Sequence, residues 1–212
     1  VIRQILELIQ DIIVPENNEV QKLLAIPHST LRELLPKSPV NIKDIFILFN
    51  YQNKKVKFIV KAIKYKNNAS LRKRIAGYLY EELLDIISEI TLFEGKSPLL
   101  TPMPMSKTEN RKRGFNQCEE ICKEIKKMGE ENIIVSYNVL KKIRETERQT
   151  NLNKEKRMKN VKNSMLAKNP TIHNQTVIVF DDVYTTGATF TEAKRALLAG
   201  GARRVIGIFV AH

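Results

Sequence analysis

Asp181 and Asp182 stand side by side at the end of the apolar run VIVF, and Val183-Tyr184-Thr185-Thr186-Gly187-Ala188-Thr189 follows them. Adjacent carboxylates repel, so a chain that ends a buried strand with both must present them to something that satisfies both. Paired hydroxyls or a metal ion meet that condition. The residues that follow suit a phosphate. Threonine hydroxyls donate, Gly187 permits a close backbone approach or a positive φ, and a helix starting there offers its N-terminal N–H groups. A ribose 5-phosphate carries what both halves need: two adjacent hydroxyls for the acids and a phosphate for the turn. A helix N-cap accounts for one aspartate at such a place, not for the whole stretch.

Other groups of reactive residue types are weaker. Gly95-Lys96-Ser97 is similar to the end of a phosphate-binding loop, but Ile90 stands where that motif requires glycine. His28, His173 and His212 lie at no ligand spacing. Cys118 and Cys122, the two cysteines of the chain, sit one helical turn apart on an apolar face and read as small core residues, so no zinc site is expected.

The elements that must position the acids follow from hydrophobic period. VIRQILELIQDIIV (1–14) has a helical period that Pro15 closes, and VQKLLAI runs to Pro27; residues 27–44, with three prolines, read as connecting chain. IFILFNY from Ile45 reads as a strand, VKFIVKAIKYK as a basic helix, and 71–90 as a longer helix. SPLLTPMP is a short strand, KTENRKRG a charged loop, and a helix follows from Phe115. IIVSYNVL is a further strand, and 141–170 reads as a long loop with a frayed helix. VIVFDD, residues 189–199 and RRVIGIFVA close the chain as strand, helix, strand. Strands alternating with helices predict an α/β domain with a mostly parallel sheet and helices on both faces. The reading divides the chain into a small N-terminal helical appendage, 1–45, and the main domain, 46–212.

With 42% hydrophobic and 28% charged residues, 212 residues can bury one core with an appendage. No apolar stretch approaches a membrane span, and helix 1–14 carries Glu7 and Asp11 on its polar face, so no membrane partner is expected. Low cysteine content fits a cytoplasmic location. The net charge is +13, and it is clustered. Residues 51–80 hold nine Lys or Arg and no acid, and residues 141–162 hold nine against three acids. Such clusters attract phosphate, on a nucleotide, a pyrophosphate or a single strand of nucleic acid.

The stretch DDVYTTGAT resembles the phosphoribosyl-pyrophosphate (PRPP) signature of the type I phosphoribosyltransferases, and its wording is similar to that of the ComF group, which is tied to bacterial DNA uptake. Arg113-Gly114-Phe115-Asn116-Gln117 matches that group's RGFNQ, and Pro102-Met103-Pro104 its upstream Pro-x-Pro. Leu140, Arg144, Thr146, Gln149, Leu152, Arg157 and Asn160 match its next series in spacing, and GGARRVIGIFVAH its end. The likeness covers about 46–212. Two departures stand out: there is no cysteine before Cys118, where the group commonly has a zinc module, and Glu109 replaces an arginine for which Arg111 can substitute.

The resemblance implies a type I phosphoribosyltransferase fold and a Mg²⁺-dependent transferase moving ribose 5-phosphate from PRPP to an acceptor, with release of pyrophosphate. It places Asp181, Asp182, Arg111 and Arg113 in the catalytic centre and Asp181 to Thr189 on PRPP, the two acids on the ribose hydroxyls. Lys64, Arg111, Arg113, Arg144 and Arg157 fall to the pyrophosphate and its closing loop. Mg²⁺ is held mainly through the ligand, with Asp181 and Asp182 as the protein's possible contacts. The alternative is a weakly catalytic or non-catalytic competence factor that uses its basic tracts on single-stranded DNA, with competence-machinery proteins as partners.

Overall fold

Thr176–Val183 forms the central strand of a five-stranded sheet, and its Val177, Ile178, Val179 and Phe180 are wholly buried. In the computed structural model the residues described are 17–129, 133–146 and 154–212, so the expected helix over 1–14 lies outside them. The strands are β1 (Ile45–Phe49), β2 (Leu99–Pro102), β3 (Ile134–Val135), β6 (Thr176–Val183) and β7 (Arg204–Ala211), in the order β1-β7-β6-β2-β3. Every pairing within the sheet is parallel. A strand covered on both faces needs a continuous apolar run, which is why β6 and β7 do not alternate. β4 (Lys141–Lys142) and β5 (Met165–Leu166) form a separate antiparallel arm.

Helices flank the sheet. α3 (Lys54–Lys66), α4 (Ala69–Glu94) and α6 (Gln117–Met128) each begin on an asparagine whose side chain accepts backbone N–H groups of the first turn. α6 presents Cys118, Ile121, Cys122 and Ile125 inward and packs on α4, β2 and β6. α8 (Ala188–Ala199) lies along β6 and β7, where Phe190 meets Phe209 edge to face. α7 (Lys154–Val161) and β5 pack on α8. The α/β class, the mostly parallel sheet and the helices on both faces are as the alternation predicts. None of the described helices is long and apolar enough to cross a membrane.

α1 (Asn17–Ala25) and α2 (His28–Leu34) send Val20, Leu23 and Leu31 into the same core. α2 corrects the reading of 27–44 as connecting chain: Pro27 precedes its first turn, where a missing N–H costs nothing. α5 (Lys107–Arg113) corrects the charged loop. Ser106 Oγ accepts from Glu109 N at 3.2 Å, the N-terminal half of a capping box, and the helix forms without burying a residue of its own. The helix read from Phe115 starts at Gln117, and the strand read in IIVSYNVL shrinks to Ile134–Val135.

Candidate active site

The C-terminal edge of a parallel sheet is where its strands deliver side chains to a ligand crevice, and β6 ends there with the two aspartates. Alternation along the strand sends them to different surroundings. Asp182 Oδ2 accepts from Gln117 Nε2 at 2.9 Å and lies 3.8 Å from Lys64 Nζ. Asp181 Oδ1 accepts from the backbone N–H of Asp182 at 2.9 Å and from the Cys118 thiol at 3.4 Å. Burial, and then the charge of Asp182, push the Asp181 carboxyl up to about 7. The charge of Asp182 holds Lys64 above the ordinary lysine value against the pull of its burial. Burial also raises the Cys118 thiol, with both acids adding to it, so Cys118 remains an S–H donor.

Three stretches far apart in sequence close around the pair. Met103, within Pro102-Met103-Pro104, donates its N–H to Phe180 O at 2.8 Å and accepts from Asn116 Nδ2 at 3.0 Å, which docks the RGFNQ segment beside β6. Arg113, the last residue of α5, donates to Gln117 Oε1, and its guanidinium sits 5.6 Å from the centre of the Tyr65 ring. α3 supplies Lys64 and Tyr65, so the basic helix reaches the acids through that end. Sequence reasoning missed Gln117, Cys118 and Tyr65 as members of the site. A signal existed for Gln117, an amide at the head of an otherwise apolar stripe.

The remaining predicted residues lie in several places. Arg111 is exposed on α5. Arg144 Nη2 donates to the carbonyls of Asn160 and Lys162, 2.8 Å each, and so closes the C-terminal end of α7. Arg157 falls on α7, but its side chain is outside the described residues. Glu109 caps α5 through its N–H and reaches Lys142 of β4 at 3.5 Å, so the departure from the ComF pattern ties the arm to this helix. In the basic tract 51–80, Arg72 is buried against Glu120 and Glu124, and Arg74 donates to the carbonyls of Leu23, Leu24 and Ile26.

Past the acids the chain turns tightly. Gly187 holds φ +74°, in the left-handed region, and precedes the first residue of α8; a Cβ there would come 2.4 Å from the Tyr184 hydroxyl. Thr186 Oγ1 accepts from Ala188 N at 3.5 Å, Thr185 is exposed, and Val183 and Thr189 are half-buried. The Tyr184 ring leans on Phe209 and His212. Asp181, Tyr184, Thr185, Gly187 and Thr189 line a recess of about 10 Å³, room for about one water. A cavity of about 540 Å³ between α4 and α6 shares no lining residue with the acids.

No protein-family model matches the chain. The competence protein ComFC of Bacillus subtilis is 29% identical over 125 residues, 56% of this chain and 45% of the relative. Competence protein F of Haemophilus influenzae is 23% identical over 167 residues, 76% of this chain and 70% of the relative. The chain thus spans less than half the length of the Bacillus protein. Among solved structures, a hypoxanthine phosphoribosyltransferase from Staphylococcus aureus aligns over 63% of this chain and 62% of that one, at 10% identity and a TM-score of 0.32. The chain is thus similar, at 29% and 23% identity, to two proteins that are both named competence proteins.

Proposed function

We propose that the chain binds PRPP at the end of β6 and transfers its ribose 5-phosphate to an acceptor, with release of pyrophosphate. The observation that carries this reading is the convergence on one acid pair, Asp182 buried and Asp181 half-buried, of two cations from other elements, Lys64 directly and Arg113 through Gln117. In this reading the two carboxylates accept from the ribose 2- and 3-hydroxyls, and the turn Thr185–Thr189 with the start of α8 takes the 5-phosphate. The bond from the anomeric carbon to pyrophosphate breaks as positive charge grows on the sugar. Lys64 and Arg113 neutralise the charge left on the departing group, the kind of electrostatic work that donors fixed in advance do best.

Among the described residues no group of three or more His, Cys, Asp and Glu side chains is arranged to hold a metal ion. Mg²⁺ does not need one, because it commonly keeps its waters and takes one or two carboxylates together with substrate phosphates. Asp181 and Asp182 fit that demand, and Mg²⁺ bound there would supply charge neutralisation for the pyrophosphate.

The competence names of the relatives favour a second reading, a factor that binds single-stranded DNA with weak catalysis or none. Its support among the described residues is the exposed lysines of α3, Lys54 and Lys55 at one end and Lys66 at the other. Titration calorimetry with PRPP and Mg²⁺, then a pyrophosphate-release screen over nucleobases, amines and single-stranded DNA, tests the first reading. Absence of heat with PRPP at millimolar concentration would remove it.

A further inference from the structure

Gln117 is a neutral amide, 6% exposed, at the first position of α6, placed between a guanidinium and a carboxylate. Its two ends are chemically assigned by those partners. Arginine has only donors, so the atom facing Arg113 must be the amide oxygen, and the atom facing the Asp182 carboxylate must be the amide nitrogen. Glutamine alone among the side chains of this length both accepts and donates without carrying charge. Ionised glutamate would accept from Arg113 but present a third negative charge to Asp181 and Asp182, and methionine would serve neither end.

We infer that Gln117 is a positioning residue that couples Arg113 to the acid pair, setting the place and orientation of the guanidinium that would meet pyrophosphate. The coupling is fixed before any ligand arrives. The Tyr65 ring holds the guanidinium from one side, and Gln117 fixes its hydrogen-bonding direction from the other. Around Asp182 stand Lys64 from α3, Gln117 from α6 and Asp181 of its own strand, and around Asp181 stands Cys118. Of these neighbours Gln117 is the one that also meets Arg113, so the amide is the neutral link through which Arg113 can lean on the carboxylates without a second ion pair. The role in ligand binding rests on the PRPP reading above; the coupling itself does not.

The test has two arms that separate those statements. In the ligand-free protein, nitrogen-15 NMR follows proton exchange at the Arg113 guanidinium. Gln117→Met removes the acceptor that holds it and should speed that exchange about tenfold, as for one lost hydrogen bond to a charged group. Gln117→Glu keeps an acceptor for Arg113, so it should preserve slow exchange. If Gln117→Met does not fold, Arg113→Met reads the same coupling from its other end, and the Gln117 side-chain amide signals should shift and exchange faster. Unmoved guanidinium and amide signals overturn the inference, whatever PRPP does. In the second arm, calorimetry with PRPP and Mg²⁺ should show about a tenfold loss for Gln117→Met and no further loss on adding Arg113→Met. Additive losses overturn the role of Gln117 in ligand binding, and wild type that binds no PRPP overturns the transferase reading alone.

Discussion

The ammonium of Lys64 stands 3.8 Å from the carboxylate of Asp182, and it is the cation that offsets two acids packed at one strand end. With Lys64→Met the pair keeps the hydrogen bonds from Gln117 and Cys118 but loses its compensating charge. PRPP affinity should then fall about tenfold, as for the loss of one charge-assisted contact, while the fold survives because Lys64 reaches solvent. Calorimetry beside a thermal melt measures both, and an affinity equal to wild type would remove Lys64 from the site.

Asp181 gives a stability prediction whose sign can be worked out. Its carboxyl titrates near 7 in the folded chain against an ordinary value of 3.8. The folded state therefore binds the proton more tightly than the unfolded state, and stability falls as pH rises from about 4 to about 7, then levels off. Asn at 181 has no charge to bury, and its side-chain oxygen can still accept from Asp182 N and Cys118. Asp181→Asn should therefore raise stability at pH 8 by about 1–3 kcal/mol and by little at pH 4. Urea titrations at the two pH values check this; equal effects at both would show that Asp181 is ionised in the fold.

Gly187 is held at a φ that costs other residues about 1–2 kcal/mol, and a side chain there meets Tyr184 as well. Gly187→Val should abolish measurable PRPP binding, whereas Thr185→Ala, at an exposed position, should cost less than about tenfold. Tyr184→Ala removes the wall of the small recess and should admit inorganic phosphate more readily than wild type. PRPP and phosphate titrations followed by NMR at Thr186 and Thr189 test all three, and a Gly187→Val variant that binds normally would sink the turn as the phosphate site.

For nucleic acid, the inward course of Arg72, buried, and Arg74, half-buried, separates two kinds of basic residue. Arg72→Ala removes a buried guanidinium from beside Glu120 and Glu124, which keep Lys123 and Lys127, and should lower stability with no specific effect on a strand. Reversing Lys54, Lys55 and Lys66 to Glu should leave stability nearly unchanged and weaken binding of single-stranded DNA, if the strand follows α3. Five neutralised phosphates would give a slope of about −3.5 in log K against log salt. A filter-binding series across salt reads it, and no binding at low salt would end the nucleic-acid reading.

Much of this fold is legible in local sequence. VIVF running into Asp181-Asp182 marks β6 because a doubly covered strand tolerates only apolar residues until it reaches the crevice. α3, α4 and α6 declare themselves through helical period, and Asn53, Asn68 and Asn116 mark their starts. α5 escaped that reading because it is helical without an apolar face; its trace in the sequence is the Ser106 and Glu109 pair of a capping box. Asp181, Asp182, Arg113 and Lys64 could be named from residue type and motif. Only the tertiary structure decided that Gln117 stands between Arg113 and Asp182, that Arg144 closes the end of α7, and that Arg72 and Arg74 face inward. Period and capping act over three or four residues and leave their mark in sequence. The partner of a long polar side chain is chosen by which helices and strands the core packs together, and that choice is made between segments tens of residues apart.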